Sequence, residues 1–284
     1  MTWQPEVDEL ARRRELAEAM GGPEKVARQH ARGKLDARQR IVGLVDAGSF
    51  REIGKIAGKG HYDEAGQLTG LSPSNLVFGR ANIEGRPVVA SADDFTVRGG
   101  AADAAIHRKF VQCEKMALSL RIPLIRMIDG TGGGGSVKTL EDIGATYVPA
   151  TPGWDTIVRN LETVPVVALA LGPTAGLGAA RVVASHYSVM VRGLSQVFAA
   201  GPAVVEAIGE ASDKESLGGS DIHTRNGVVD DEVASEADAF VRARRFLSYL
   251  PSSVGAPAPR TACQDPTDRR EEKLLSIVPR EAKQ

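Results

Sequence analysis

The chain has no surplus of basic charge. Lys and Arg total 35 against 36 Asp and Glu, for a formal net charge of −1. Neutralising a phosphate backbone takes an excess of cations, so this balance argues against nucleic-acid binding. Cysteine is scarce: Cys113 and Cys263 lie far apart, which excludes a disulfide framework or a zinc ribbon and fits a reducing cytoplasm. Aromatic residues are only 5% of the chain, so small side chains and close backbone approach are favoured over aromatic packing. No apolar run is long enough to span a bilayer. The start, Met1-Thr2-Trp3-Gln4-Pro5-Glu6, lacks the basic head and apolar core of a signal peptide. His30, His61, His186 and His223 show no metal-ligand spacing, and Ser136, Ser185 and Ser195 lie in no Gly-x-Ser-x-Gly elbow. The residues therefore offer no metal site, no nucleophile triad and no obvious general base.

Glycine is plentiful, with 31 residues among 284. Two glycine-rich turns stand out: Asp129-Gly130-Thr131-Gly132-Gly133-Gly134-Gly135 and Gly172-Pro173-Thr174-Ala175-Gly176-Leu177-Gly178. Each follows a run that reads as a buried strand, 123–128 and 164–171, and each precedes a stretch that can be helix. Such a turn exposes backbone N–H groups at the positive end of a helix dipole, which suits a developing negative charge. The first turn is not a P-loop, because Gly135 is followed by Ser136-Val137-Lys138 rather than by Lys and Ser/Thr. It also fails the dinucleotide fingerprint, since no acidic residue closes a second strand about 20 residues on. A plain surface loop is the competing reading of the first turn, and tight helix–sheet packing that of the second.

The rest of the chain reads as alternating strand and helix, hence an α/β fold. Helices are expected over 6–20, 24–31 and 36–44, the last capped by Asp36. Residues 46–70 read as loop, and 75–92 as a β-hairpin turning at Glu84-Gly85-Arg86-Pro87. A long helix is expected over 103–120, then further helices over 179–185, 202–208 and 234–249, and a strand over 188–191. Asp93 and Asp94 are adjacent on a strand and point to opposite faces, so they cannot share one acid–base site. Gly99 and Gly100 are candidates for a ligand-lining loop. Lys109 could meet a phosphate or carboxylate, although a solvated helix face is its default. Residues 1–250 are expected to form one domain with a helical extension over 1–45. Residues 251–284 read as linker and charged tail with one apolar cluster, Leu274 to Val278.

Several ordered motifs together resemble the N-terminal domain of the carboxyltransferase (β) subunit of biotin-dependent acyl-CoA carboxylases, the propionyl-, acetyl- and methylcrotonyl-CoA carboxylase type. They are Arg32-Gly33-Lys34-Leu35-Asp36-Ala37-Arg38-Gln39-Arg40-Ile41, Asp46 to Glu52, Asp94 to Gly100, Gly172 to Gly178, Val197 to Pro202, Leu217 to Thr224 with Asn226-Gly227-Val228, and Asp265 to Arg269. The first turn departs from the family's usual Asp-Ser-Gly-Gly-Ala-Arg; here it is one residue longer and lacks the arginine. Similar single-chain subunits continue into a second domain where this chain ends.

The resemblance implies a crotonase-like ββα-superhelix and a domain that holds an acyl-CoA. Carboxybiotin, carried on a partner protein, would donate CO2 and its ureido nitrogen would take the α-proton of the thioester. Backbone donors would hold the resulting enolate. On that basis the amides of Gly132 and Gly133, with Gly176 and Leu177 on the facing wall, are the catalytic candidates. Gly99, Gly100, Lys109, Gly134 and Ala175 are the substrate-binding candidates. The implied partners are a C-terminal-half carboxyltransferase subunit, a biotin carboxylase and a biotin carboxyl carrier protein, in a cytoplasmic hetero-oligomer of trimer-based symmetry, with no metal, membrane or nucleic acid. A biotin-dependent acyl-CoA decarboxylase subunit and a non-catalytic assembly subunit are the alternatives. An enoyl-CoA hydratase is disfavoured for want of a placed carboxylate.

Overall fold

The computed structural model describes residues 2–101, 107–130, 141, 144 and 153–281. Among the described residues, eight strands form the central sheet: β1 (Arg51–Glu52), β4 (Leu76–Ile83), β5 (Arg86–Asp93), β6 (Leu124–Gly130), β7 (Val166–Ala175), β8 (Tyr187–Val191), β9 (Gln196–Phe198) and β10 (Asp231–Val233). Their order is β1-β4-β5-β6-β7-β8-β10, with β9 beside β7. The pairs β5–β6, β6–β7, β7–β8, β7–β9 and β8–β10 are parallel, whereas β1–β4 and the β4–β5 hairpin are antiparallel.

Helices cover both faces, as a parallel sheet requires. Alternation along β6 shows how. Ile125 and Met127 join one core with Ile41 and Leu44 of α3 (Ala37–Leu44) and Phe240, Ala243 and Leu247 of the C-terminal helix Glu236–Ser248. Leu124 faces the other way, onto Cys113 and Ala117 of α4 (His107–Leu120), and Ile128 onto Val182 of the helix Leu177–Val183. The helix expected from Asp36 is present and carries a full capping box: Asp36 accepts from the Arg38 and Gln39 amides, and the Gln39 side chain accepts from the Asp36 amide. Two helices precede it, α1 (Gln4–Glu18) and α2 (Pro23–His30).

The loop expected over 46–70 is corrected. It contains β1 and a separate two-stranded ribbon of β2 (Gly58–Tyr62) and β3 (Leu68–Pro73). The ribbon buries neither face, so no alternation of apolar residues marked it. The helix Trp154–Thr163 carries Trp154, Ile157, Val158 and Leu161 at helical spacing, a signal the sequence reading missed, whereas the three-residue strands β9 and β10 were too short to give one. After Leu250 the chain is mostly irregular and exposed, with one short 3-10 turn at Glu272–Ser276.

One buried ionic cluster ties the N-terminal helices to the sheet. Asp129, fully buried in β6, accepts from Lys34 Nζ at 2.7 Å, Arg40 Nη1 at 2.8 Å and Gln29 Nε2 at 3.2 Å. Arg40 also donates through Nε to Glu236 at 2.8 Å and through Nη2 to the Leu171 carbonyl at 2.8 Å. Burial opposes the Arg40 charge, but Asp129 and Glu236 outweigh it and hold the guanidinium pKa above its ordinary value. Gly172 borders this cluster: a Cβ there would lie 2.1 Å from Asp129 Oδ1 and 2.5 Å from Lys34 Nζ. Gly172→Ala is therefore expected to push these groups apart and lower stability by about 3–5 kcal/mol, the usual cost of breaking a buried pair. Urea unfolding of the variant beside the parent chain measures it.

Candidate functional site

Because β5, β6 and β7 run parallel, Asp93, Gly130 and Ala175 end at one edge of the sheet. That edge is where open α/β sheets place ligands. Gly130 pairs with Thr174 in β7, so the first glycine turn departs beside the second. Residues Arg98, Gly99 and Gly100 take three successive left-handed conformations, with φ of 51°, 61° and 69°. This folds Gly100 directly onto the end of β6, where a Cβ on Gly100 would lie 2.7 Å from Gly130 Cα and 2.8 Å from the Asp129 carbonyl oxygen. Two glycines meet there because nothing larger fits.

The second turn leaves β7 at Ala175, which pairs with Phe198 of β9. Gly176 follows with φ 58° and ψ −120°, and its amide donates to the Phe198 carbonyl at 3.1 Å. Leu177 then opens the helix Leu177–Val183, whose first amides have no intrahelical acceptor. The structure thus gathers Gly99, Gly100, Ala175, Gly176 and Leu177 at one edge. Gly132, Gly133 and Gly134 lie outside the described residues.

Lys109 corrects its default reading as a solvated helix position. It is only 6% exposed. A Cβ on Gly54 would lie 3.7 Å from its Cε, and Glu52 and Arg38 are its charged neighbours. Burial pulls its pKa down to about 8, against the pull of Glu52 in the other direction.

Asp93 and Asp94 have separate partners, as their adjacency on a strand requires. Asp94 accepts from the Thr96 amide and hydroxyl. Asp93 accepts from Arg181 Nη1 at 3.0 and 3.2 Å and from the Asp129 amide at 3.4 Å. Burial pushes the Asp93 carboxyl above its usual range, while Arg181 opposes the shift. Arg181 also stacks on Phe110, with its guanidinium carbon 4.9 Å from the ring centroid.

Alongside Gly99 runs a cleft of about 290 Å³ lined by Lys25, Arg28, Gln29 and Arg32 from α2 and its end, and by Phe95, Thr96 and Arg98. Four of these residues are cationic and none is acidic. No group of three His, Cys, Asp or Glu side chains suited to a metal occurs among the described residues, and no described helix is long and apolar enough to cross a membrane. The sequence reading missed this cleft because its cations come from two segments about 70 residues apart. It also missed the Asp129 cluster and the Arg181 pair. The Arg32–Ile41 motif did hold the signal for the cluster, in Lys34 and Arg40.

The depressed Lys109 pKa has a stability consequence. The folded value lies below the unfolded one, so between about pH 8 and the ordinary lysine value the unfolded chain binds the extra proton. Stability is then lowest below pH 8, where the buried charge persists, and is regained as pH rises through that window. Lys109→Met should raise the thermal midpoint at pH 7, by a stability increment of about 2–3 kcal/mol, and the gain should shrink toward zero near pH 10. Thermal melts of both proteins across that range decide it.

The chain matches the model of the family described as "Carboxyl transferase domain" over residues 28–284. It is 33% identical over 282 residues to the mitochondrial propionyl-CoA carboxylase beta chain of Homo sapiens, covering 97% of this chain and 51% of that one. It is 34% identical over 271 residues to the probable biotin-dependent acyl-coenzyme A carboxylase beta2 subunit of Mycobacterium tuberculosis, covering 93% and 49%. Among solved structures, the transcarboxylase 12S hexamer with methylmalonyl-coenzyme A and methylmalonic acid bound superposes with a TM-score of 0.74 at 28% identity, over 100% of this chain and 55% of that one. The chain spans about half the length of these relatives. Its mixed α/β architecture is the crotonase-like fold of the carboxyltransferase structures. With the family model covering nearly the whole chain and the relatives matching more than nine-tenths of it, the chain belongs to the carboxyl transferase domain family.

Proposed function

We propose that this chain is the acyl-CoA-binding half of a biotin-dependent carboxyltransferase, with residues 1–250 as its working domain and 251–284 as linker and tail. The observation that carries the reading is the convergence of glycine-bearing strand ends and a cationic cleft at one sheet edge. The nucleotide end of coenzyme A carries a diphosphate and a 3′-phosphate. Lys25, Arg28, Arg32 and Arg98 would meet that charge, with Phe95 as an apolar wall beside them. The pantetheine arm would then run past Gly99 and Gly100 toward Gly130.

At the turns the chain offers amides rather than acids or bases. Leu177 and Gly178, at the start of their helix, would take the charge that develops on the thioester oxygen when the α-proton leaves. One such donor is worth about 3–4 kcal/mol of barrier. Gly176 would act through its conformation, since its own amide is held by Phe198. The amides of Gly132 and Gly133 would form the facing pair, with Gly134 beside them. Lys109, buried near Glu52, would act on the acyl-CoA only at short range and by charge.

Carboxybiotin is a reactant here, brought by a carrier protein, and supplies the carboxyl group together with a basic ureido nitrogen. What this chain's residues do is bind, orient and hold charge. The second wall of the site would come from a C-terminal-half carboxyltransferase subunit, in a cytoplasmic hetero-oligomer of trimer-based symmetry that works with a biotin carboxylase and a biotin carboxyl carrier protein.

Isothermal titration of the chain with propionyl-CoA, with and without the second-half subunit, tests the reading. Binding is expected, and Arg28→Ala with Arg32→Ala should weaken it about tenfold at low salt and less at high salt, as screening grows. Absence of binding in both settings would overturn the proposal.

A further inference from the structure

We propose that the Asp93–Arg181 ion pair is a positioning strut that holds the end of β6 and the start of the helix Leu177–Val183 at one fixed separation, so that an acyl thioester meets the turn amides in a set geometry. The thioester clause rests on the function proposed above; the strut itself does not.

Asp93 ends β5 and touches both sides of the site. Its Oδ2 accepts from the Asp129 amide, next to Gly130, and both its oxygens accept from Arg181. Arg181 lies four residues after Leu177, one helical turn away, so the pair fixes where that turn sits. The phenyl ring of Phe110 backs the guanidinium and leaves it little room to move.

As a device for stability the pair is poor. Both side chains are 13% exposed, and Arg181 Nε is buried without a hydrogen-bond partner among the described residues. An apolar pair would often serve a fold as well or better. Nor is the pair needed to keep the helix on the sheet. Arg126 Nη1 donates to the Ala184 carbonyl at 2.7 Å at the helix's far end, and Ala179 and Val182 are buried in the core beneath it. What the pair adds is lateral placement at the near end, where the turn amides begin.

Asp93→Asn, Arg181→Gln and the charge-conserving Arg181→Lys test the proposal in the full chain. Hydrogen exchange is followed in peptides containing Asp129-Gly130, Gly176–Gly178 and, as a reference, Tyr187–Val191. The strut predicts that Asp93→Asn and Arg181→Gln raise exchange about tenfold at both turn peptides while the reference strand is unchanged, and that Arg181→Lys recovers much of the protection. Affinities for propionyl-CoA and for free coenzyme A give the second readout. Preference for the thioester should fall about tenfold while coenzyme A affinity is kept. Unchanged exchange at the turns, or an equal rise in the reference strand, would overturn the strut. A kept thioester preference would overturn its role in the site. If the parent chain binds neither ligand, the function proposed above falls and the exchange comparison still decides the strut. If Asp93→Asn does not fold, the two Arg181 variants carry the same comparison.

Discussion

A carboxylate with no access to water must be matched by donors, and Asp129 is that carboxylate here. Its three side-chain donors, Gln29, Lys34 and Arg40, come from α2, from the segment after it and from α3. Arg40 in turn needs Glu236, at the start of the C-terminal helix. Two cations and two carboxylates close into a neutral cluster, and each would be costly to bury alone. The arrangement fixes where the N-terminal helices sit on the sheet, and therefore where the cationic cleft of α2 lies relative to the strand ends. Gly172 keeps the space that the cluster needs.

A second cluster occupies the opposite face of the same strand. Arg126, fully buried, makes a two-pronged pair with Glu114 at 2.8 Å for each prong, and Asn160 donates to Glu114 as well. Asp129 and Arg126 are three positions apart and so face opposite ways. A slip of β6 by one residue would bring Asp129 toward Glu114 and Arg126 toward Lys34 and Arg40. Like charges would then meet on both faces. Register, usually specified by apolar alternation alone, is here also specified by sign of charge. That matters because the first glycine turn begins where this strand ends.

The parts of the fold that were legible in the sequence are those with strong local patterns. The apolar runs of β6 and β7, the hairpin of β4 and β5, and the Asp36 cap all follow from spacing and from turn chemistry within a few residues. The ribbon of β2 and β3 did not, because it buries neither face. Glycine turns after strands were legible, and the structure places the second turn, Gly99 and Gly100 at one edge. The partnerships that organise that edge were not legible. Lys34 with Asp129, Arg40 with Glu236 and Asp93 with Arg181 are contacts across long stretches of chain. No local period signals such a contact. An arginine inside an otherwise apolar run, as at Arg126, is the clearest hint that a buried partner exists.

The span between Arg40 and Glu236 also sets an order of events during synthesis. The two residues are 196 positions apart. At about 5–20 residues per second, roughly 10–40 s pass between the emergence of one and of the other. Through that interval Arg40 has no Glu236, and the sheet strands from β6 onward are still arriving. The helices of the N-terminal segment can form early and meet Asp129 once β6 is made, but Arg40 lacks its second carboxylate until the last helix is made. Completion of this domain is therefore a late step, timed by the arrival of its own C-terminal helix.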